Sequence, residues 1–576
     1  MMSLKHLVAW FIAASAISCS QTPESDNTSP LVPVCDPSVF SLSRIAPSVK
    51  ITSIEAQVQR LATTPGGTPE SNGLNHCQVK VRLNHERTDD SVLVEVWLPL
   101  SRDDWNGRFL ATGGGGWVTG MLGRAIAPAV KQGYAASSTD GGHDVHDHGD
   151  ASWVLESEGT TNWNLLHNFA TRSLVEQITI GKTITEQFYQ EKPHHSYWSG
   201  CSQGGRQGYV LAQQYPDLLD GILAIAPAIS LTKLVMAEFW PQLVMKEEGR
   251  WMSSCEFNYF RQKAMESCDM IDGVSDGVIS ELDQCDFDPL HLIGQVFYCN
   301  EEYVEVTEAM ANIVRRIGEG PRTPLKAPIW HGLAHGTTFE GIANTSTSSN
   351  GVRASNPFSV STHFIQNFLL RQFSFNVTQL NYASYMALWA QAGSEYGWLL
   401  DADNADLTRL QSSGTKLLTW HGTNDPLIPY QSTVQYRKRV EMLMGGANEV
   451  DKFYRLFLAP GVEHCAGGIG PVPKDSLAAL VDWVEDGTAP ETLEAVTTTY
   501  EGDLVTRELC AWPGNARYLG IGDAKRWSSW SCVGGTERPE EGLSQEEEKL
   551  ETGRAGQILE GLKDRLEGLG LGLTIG

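Results

Sequence analysis

The chain has few basic residues for its length. Its 576 residues include 43 Lys and Arg against 69 Asp and Glu, which gives a formal net charge of −26 at pH 7. Nucleic-acid binding needs concentrated basic side chains to neutralise phosphates. The charge balance therefore argues against a nucleic-acid partner and is typical of a soluble extracellular protein.

The chain also lacks an apolar run long enough to span a membrane. Its longest apolar run, residues 7–17, follows Lys5 and His6 and falls short of the roughly 20 residues that a bilayer requires. We predict a secretory signal peptide over residues 1–19, with the small residues 14–16 as the cleavage site. A lipid anchor at Cys19 is the alternative interpretation.

Closely spaced CxxC pairs, which are typical of zinc sites, are absent from the sequence. Of the 11 cysteines, Cys19 lies at the end of the predicted signal peptide, which leaves an even number in the mature chain. This favours disulfides formed in an oxidising compartment. N-x-S/T triplets begin at Asn27, Asn344 and Asn376, as expected for a eukaryotic secretory route.

Alternating strand and helix patterns flank an irregular middle section. Strand-like segments at residues 92–98, 196–199 and 221–226 are followed, after a long interval, by others at 416–420 and 452–458. This alternation predicts the α/β class with a parallel sheet, and the irregular middle predicts an inserted second domain. The predicted limits are 34–230 and 398–535 for the α/β domain, 231–397 for the insertion, and 536–576 for a loosely ordered acidic tail, with an amphipathic helix as its alternative.

A Gly-x-Ser-x-Gly pattern occupies residues 200–204, between a predicted strand and a predicted helix over 204–215. A serine hydroxyl is a poor nucleophile unless a base removes its proton and a turn exposes it. The flanking glycines permit the strained strand-to-helix turn that exposes it. We therefore predict that Ser202 is a nucleophile, the alternative being a chance occurrence of the pattern.

An orienting acid and a base are expected further along the chain, in the order Ser, Asp, His. Asp425 and His464 each lie in a loop directly after a predicted strand, and both positions suit the carboxyl edge of a parallel sheet. His464 would accept the proton of Ser202, and Asp425 would fix the tautomer of the imidazole. Taken singly, each residue favours a non-catalytic interpretation, Asp425 as a turn carboxylate and His464 as a surface-loop histidine.

Two cysteines are the sequence neighbours of the predicted catalytic residues. Cys201 precedes Ser202, and Cys465 follows His464. A disulfide between them would join the serine turn to the histidine loop, where a displacement of about 1 Å matters greatly for catalysis. The alternative is two unrelated disulfides or buried thiols.

Four consecutive glycines, residues 113–116, follow a predicted strand upstream of the nucleophile. The second amide of an oxyanion hole arises at this place in serine hydrolases with such a turn, and the first is the amide after the serine, here Gln203. Each donor stabilises the developing oxyanion by about 2.7–4 kcal/mol. We take Gly115 as the second donor, and a plain flexible turn is the alternative.

These motifs resemble those of the fungal tannase and feruloyl esterase family of α/β-hydrolases. The similarity extends from about Cys35 to Cys532, and the matching stretches are residues 105–110, 138–140, 199–207, the Asp425 loop and residues 460–470. The resemblance implies an α/β-hydrolase fold with a large lid domain over the active site, the disulfide-linked triad, and hydrolysis of phenolic acid esters. Gln203 stands where many relatives carry a small residue or an acid, which leaves its backbone donor intact.

The predicted lid contains an acidic loop at residues 268–278. Calcium prefers such oxygen ligands, but the spacing differs from that of an EF-hand, and from the residues alone a solvated acidic turn is equally consistent. The resemblance implies a structural calcium ion. Its ligands would be the side chains of Asp269, Asp272 and Asp276 and the carbonyls of Val274 and Val278. We further expect the disulfides Cys268–Cys285, Cys35–Cys77, Cys255–Cys299 and Cys510–Cys532.

Together these features predict a secreted carboxylic ester hydrolase without an organic cofactor, acting as a monomer or homodimer. Its substrate would be a small or polysaccharide-linked phenolic ester, with feruloyl esters of plant cell walls first and galloyl esters of tannins second. A serine peptidase with the same triad and a non-catalytic binding protein on the same fold are the alternatives from other functional classes.

Overall fold

A mixed sheet of nine strands dominates the computed structural model, which describes residues 33–42, 49–62 and 73–534. In chain order the strands begin with β1 (Val49–Ala62), β2 (Leu74–His85), β3 (Val92–Pro99), β4 (Arg108–Thr112), β5 (Ala135–Thr139), β6 (Leu155–Ser157), β7 (Thr160–Thr161), β8 (His195–Cys201), β9 (Gly221–Ile225) and β10 (Val296–Cys299). They continue with β11 (Glu302–Glu305), β12 (Thr345–Thr347), β13 (Arg353–Ser355), β14 (Lys416–Gly422), β15 (Tyr454–Ala459), β16 (Val472–Pro473), β17 (Thr492–Thr498), β18 (Leu504–Cys510), β19 (Asn515–Tyr518) and β20 (Trp530–Val533). The predicted signal peptide, Asn27 and the predicted acidic tail lie outside the described residues.

Helices connect the strands of the large sheet and build most of the insertion. In chain order they are α1 (Gly123–Lys131), α2 (Trp163–His167), α3 (Ser173–Tyr189), α4 (Gln203–Gln214), α5 (Leu231–Ala237), α6 (Trp240–Glu247), α7 (Ser254–Cys268), α8 (Glu308–Glu319), α9 (Ser359–His363), α10 (Tyr382–Leu400), α11 (Thr408–Ser413), α12 (Gln431–Leu443), α13 (Ala447–Val450) and α14 (Ser476–Glu485). Within the described ranges, no helix combines the length and the apolar character that crossing a bilayer requires.

The large sheet has the strand order β1-β2-β3-β5-β4-β8-β9-β14-β15. Its first three strands pair antiparallel, and β3 pairs antiparallel with β5. From β5 onward every neighbouring pair is parallel. The carboxyl ends of β4, β8, β14 and β15 therefore meet at one edge, where open α/β sheets bind their ligands. The α/β class with a parallel sheet, predicted from the sequence, is confirmed.

Alternate residues of the central strands pack into two different apolar clusters. On β9, Ile222 and Ala224 join buried residues of α3, α4 and α12, whereas Leu223 joins residues of α1 and α14. Successive strand residues point to opposite faces, so both faces of this strand are covered by helices. This explains why the sequence of β9 is a continuous apolar run.

The segment between β9 and β14 contains α5 to α11 and two small hairpins, β10-β11 and β12-β13. Its apolar core includes Phe257, Met310 and Tyr385, and the same cluster contains Trp117 and Phe169 from the part of the chain before β8. The insertion therefore packs directly on the sheet-bearing part of the protein. The domain limits given above stay a prediction, because this core is shared.

All five predicted disulfides are formed. They join Cys35–Cys77, Cys201–Cys465, Cys255–Cys299, Cys268–Cys285 and Cys510–Cys532. The last of these links β18 to β20, in the carboxyl-terminal sheets that pack beside β15.

Candidate active site

Ser202 lies in a sharp turn between the end of β8 and the start of α4. Its backbone has φ 61° and ψ −121°, a strained conformation for a residue with a side chain. The turn is tight: a Cβ at Gly200 would come within 2.5 Å of the Gly204 backbone, and one at Gly205 within 2.7 Å of the Ile225 carbonyl oxygen. Glycine is therefore required at these positions, and the turn presents Ser202 to a cavity at the edge of the sheet.

Asp425 and His464 are brought together by the loops after β14 and β15. Nδ1 of His464 lies 2.6 Å from Oδ2 of Asp425, whose side chain is buried. Oδ1 of Asp425 accepts hydrogen bonds from the amides of Leu427 (2.8 Å) and Ile428 (2.9 Å). The carboxylate is thus held from one side and orients the imidazole from the other. This leaves Nε2 of His464 as the ring nitrogen available to a serine hydroxyl, and Ser202 and His464 line the same cavity.

A second imidazole, which the sequence analysis gave no role, also contacts Asp425. Nε2 of His421 lies 3.3 Å from Oδ2 of Asp425 and 3.1 Å from the carbonyl oxygen of Ile428. Because a carbonyl oxygen accepts but cannot donate, Nε2 of His421 carries a proton. Burial by itself would raise the pKa of Asp425, but the imidazoles of His464 and His421 outweigh it and hold that pKa far below its usual range. A histidine four residues before the acid, at the end of a strand, is the sequence signal for this contact.

The disulfide Cys201–Cys465 connects the two catalytic loops directly. Its Cα atoms are 5.9 Å apart, although the two cysteines are separated by 264 residues in the sequence. Each cysteine is bonded along the backbone to a candidate catalytic residue, Ser202 or His464. The cross-link therefore limits how far the serine and the histidine can separate.

The glycine-rich loop after β4 packs against the start of α4. The Gly204 amide donates to the Gly114 carbonyl oxygen at 3.0 Å, and the Gly114 amide donates to Oε1 of Gln207 at 3.1 Å. The buried Gln207 also donates to the Thr119 carbonyl oxygen at 2.9 Å. Gln207, which the sequence analysis did not single out, thus holds the loop in place beside the serine turn.

Two predicted oxyanion donors line the same cavity as Ser202. Gln203 is the first residue of α4, where a backbone amide has no partner within the helix. Gly115 forms an isolated antiparallel bridge with Val118, whose amide donates to the Gly115 carbonyl oxygen at 3.1 Å. The choice of Gly115 among the glycines 113–116 stays a prediction.

The cavity has a volume of about 550 Å³ and a mainly apolar wall. This volume is within the range of small-molecule sites in enzymes. Its apolar lining residues come from the glycine-rich loop and the segment after it, from the insertion and from the loop after β14, and they include Trp117, Met121, Leu231, Leu234, Val235, Phe358, Val360 and Leu427. Such a wall accommodates a small aromatic group beside the serine.

The predicted calcium loop is closed by its own hydrogen bonds. Oδ1 of Asp269 accepts from the amides of residues 276, 277 and 278, at 3.3, 3.0 and 3.2 Å. Oδ2 of Asp276 is 3.0 Å from a guanidinium nitrogen of Arg507 on β18. Oδ2 of Asp272, by contrast, is buried and has no hydrogen-bond partner among the described residues. The buried, unpartnered Oδ2 of Asp272 is an oxygen ligand of the kind that calcium takes, and the calcium site stays a prediction.

Comparison with known proteins identifies the family. A family model described as tannase and feruloyl esterase matches residues 77–533. A probable feruloyl esterase of Arthroderma benhamiae is 41% identical over 537 residues, which cover 92% of this chain and 98% of that protein. A tannase of Aspergillus oryzae is 29% identical over 516 residues, which cover 79% of this chain and 87% of that protein. The solved structure of the tannin acyl hydrolase from Aspergillus niger has a TM-score of 0.80 at 25% identity and covers 87% of this chain and 95% of that one. The chain therefore belongs to the tannase and feruloyl esterase family and is a carboxylic ester hydrolase with an α/β-hydrolase fold.

Proposed function

We propose that this enzyme is a secreted serine esterase that hydrolyses esters of phenolic acids. Feruloyl esters of plant cell-wall polysaccharides are the first candidate substrates, and galloyl esters of tannins are the second. The observation that carries the proposal is the 2.6 Å contact between Asp425 and His464, in a loop cross-linked to the Ser202 turn. Both candidate acyl groups are aromatic, as the apolar cavity wall favours.

The reaction follows from this arrangement in two balanced steps. Oγ of Ser202 attacks the ester carbonyl carbon while Nε2 of His464 takes the hydroxyl proton, and Asp425 stabilises the resulting imidazolium. The oxyanion accepts hydrogen bonds from the amide of Gln203 and from one glycine of the 113–116 loop. Collapse breaks the ester bond, and His464 returns its proton to the leaving alcohol. Water then attacks the acyl-enzyme by the same route, which releases the aromatic acid and restores Ser202.

The choice between acyl groups is tested with four matched esters. We expect the purified enzyme to hydrolyse methyl ferulate, caffeate and p-coumarate with turnover numbers of about 1–10³ s⁻¹. Methyl gallate is expected to react more slowly. Product acids are measured by chromatography, and a fluorophosphonate probe checks by mass spectrometry that the reactive residue is Ser202.

The outcomes of this assay separate the competing functions. Cleavage of gallate alone would make the enzyme a tannase. Release of amino acids from peptides, with all four esters inert, would favour a serine peptidase. Binding of phenolic acids without turnover or probe labelling would indicate a non-catalytic binding protein.

Secretion is part of the proposal. It is supported by the five disulfides, which persist in oxidising compartments, and by the pattern of residues 1–19. Of the proposed glycosylation sites, Asn376 is exposed and accepts hydrogen bonds from Thr378 through Oδ1 alone, which leaves Nδ2 accessible for a glycan. The enzyme is proposed to act as a monomer or a homodimer.

We also propose that residues 231–397 form a lid stabilised by calcium at Asp269, Asp272 and Asp276, with the Val274 and Val278 carbonyls. The ion would serve structure, because the loop supplies none of the residues that line the cavity. Saturating calcium is expected to raise the unfolding temperature by roughly 2–5 °C over the same protein in a chelator.

Differential scanning calorimetry in calcium, magnesium or chelator measures this effect. Asp272→Asn removes the negative charge of the Asp272 carboxylate and is expected to abolish the rise in unfolding temperature. Asp286→Asn lies outside the proposed ligand set and is expected to keep that rise. Equal unfolding temperatures in calcium and chelator would count against a calcium site.

A further inference from the structure

Glu238 is an unexplained carboxyl group in the wall of the active-site cavity. It directly follows α5, and it lines the same cavity as Ser202 and His464. The residue is 5% exposed, and Oε2 is buried without a hydrogen-bond partner among the described residues. Leaving a buried polar atom without a partner is destabilising, so its retention in a cavity wall points to a partner that arrives from outside.

The surroundings of Glu238 disfavour the charged form of its carboxyl group. The described residues that line the cavity include no lysine or arginine. Burial raises the pKa of Glu238 well above its usual value, and the negative charge of Asp425 raises it further. Burial without a neighbouring cation favours the acid form of the side chain, which has one O–H donor and one carbonyl acceptor.

We propose that Glu238 is a specificity-determining residue that selects acyl groups carrying a free phenolic hydroxyl, a role that rests on the proposed esterase function. A phenol both donates and accepts, so it pairs reciprocally with a carboxylic acid: the acid O–H donates to the phenol oxygen, and the phenol O–H donates to the acid carbonyl. A methyl ether on the ring can only accept. An unsubstituted ring does neither and leaves the buried carboxyl group unpaired.

The size of the effect follows from the cost of that unpaired group. Sites built to hydrogen-bond a substrate hydroxyl reject analogues that lack it by as much as 10⁴- to 10⁵-fold. One carboxyl group in a cavity of about 550 Å³ leaves room for water, so we expect a smaller preference of about 10- to 100-fold.

A second, smaller space lies beside this group. Glu238 also bounds a cavity of about 20 Å³, lined by Trp240 and His331 among others, which is room for about one water. The carboxyl group therefore separates two spaces. The experiment must distinguish a role toward the substrate from a role toward this small cavity.

The test compares three methyl esters that differ at one ring position: p-coumarate, 4-methoxycinnamate and cinnamate. The wild-type enzyme is expected to show kcat/KM about 10- to 100-fold higher for p-coumarate than for either other ester. Glu238→Gln, which keeps the carbonyl acceptor and replaces the O–H donor by an NH₂ group, is expected to retain this ratio within about 3-fold. Glu238→Met is expected to bring the ratio close to 1 without a loss of kcat/KM on cinnamate, because cinnamate leaves the wild-type carboxyl group unpaired. Glu247→Met, on the next helix and outside the cavity lining, is the matched control.

Each result of this comparison either supports or overturns the role proposed for Glu238. An unchanged ratio in Glu238→Met would overturn it and assign the carboxyl group to the small cavity. If Glu238→Met lowers kcat/KM equally for all three esters, the inference is overturned in favour of a role in positioning Asp425. A wild-type ratio near 1 overturns it without any variant, even if Glu238→Met does not fold. If the wild-type enzyme hydrolyses no phenolic ester, the proposed function fails, which is a different result from equal hydrolysis of all three.

Discussion

Replacing Ser202 by alanine is expected to lower kcat for methyl ferulate by about 10⁵- to 10⁶-fold. The substitution removes the atom that forms the acyl-enzyme, so the covalent route is lost. Some acceleration over water is expected to remain, because the cavity still binds the ester and the oxyanion donors are still present. Initial rates of ferulate release, with enough enzyme to detect the residual rate, measure the loss.

The Ser202→Ala variant is expected to fold like the wild-type enzyme. Alanine and serine meet the same backbone strain at φ 61°, so the unfolding temperature should change by no more than about 1 °C. Ser196→Ala, on the same strand but outside the cavity lining, is the control and should retain activity. Retention of more than about 1% of wild-type kcat by Ser202→Ala would exclude Ser202 as the nucleophile.

Replacing Asp425 by asparagine is expected to lower kcat by about 10⁴-fold with little change in KM. Oδ1 would still accept from the amides of Leu427 and Ile428, so the amide NH₂ group would face Nδ1 of His464. That contact favours the tautomer with the proton on Nε2. A protonated Nε2 cannot take the proton of Ser202, and the imidazolium would also lose its negative partner.

Steady-state kinetics on methyl ferulate measure the effect of Asp425→Asn. Asp486→Asn, an exposed carboxylate at the end of α14, controls for the loss of one negative charge and is expected to match the wild type. A loss of less than about 10-fold in Asp425→Asn would mean that another group orients His464. Since His421 contacts the same carboxylate oxygen, His421→Ala in that background would test whether it contributes.

Much of the candidate site could be predicted because its signals are local. The Gly-x-Ser-x-Gly pattern specifies a turn through the small size of glycine, and the structure has that turn at Ser202. The pairing of Cys201 with Cys465 followed from their positions beside the predicted serine and histidine, and it is formed. Strand-like runs before Asp425 and His464 placed both at strand ends, and their side chains do meet.

Other parts of the site have no local signal. Glu238 lies 36 positions after Ser202 in an irregular section, and only the fold places the residue after α5 in the cavity wall that also contains Ser202. Gln207 is one of several polar residues on α4, and its burial against the glycine-rich loop depends on where β4 lies in the sheet. The crossing of β4 and β5 in the strand order is likewise a property of the whole sheet.

The sequence by itself determined the α/β class, the order of the candidate catalytic residues and the disulfide pairs, because each depends on short-range spacing, turn chemistry or a family resemblance. The tertiary structure alone decided which residues share the cavity with Ser202, including the buried Glu238. The physical reason is that burial and the pKa of a buried group depend on neighbours from distant segments, and those neighbours are fixed by the packing of the insertion on the sheet.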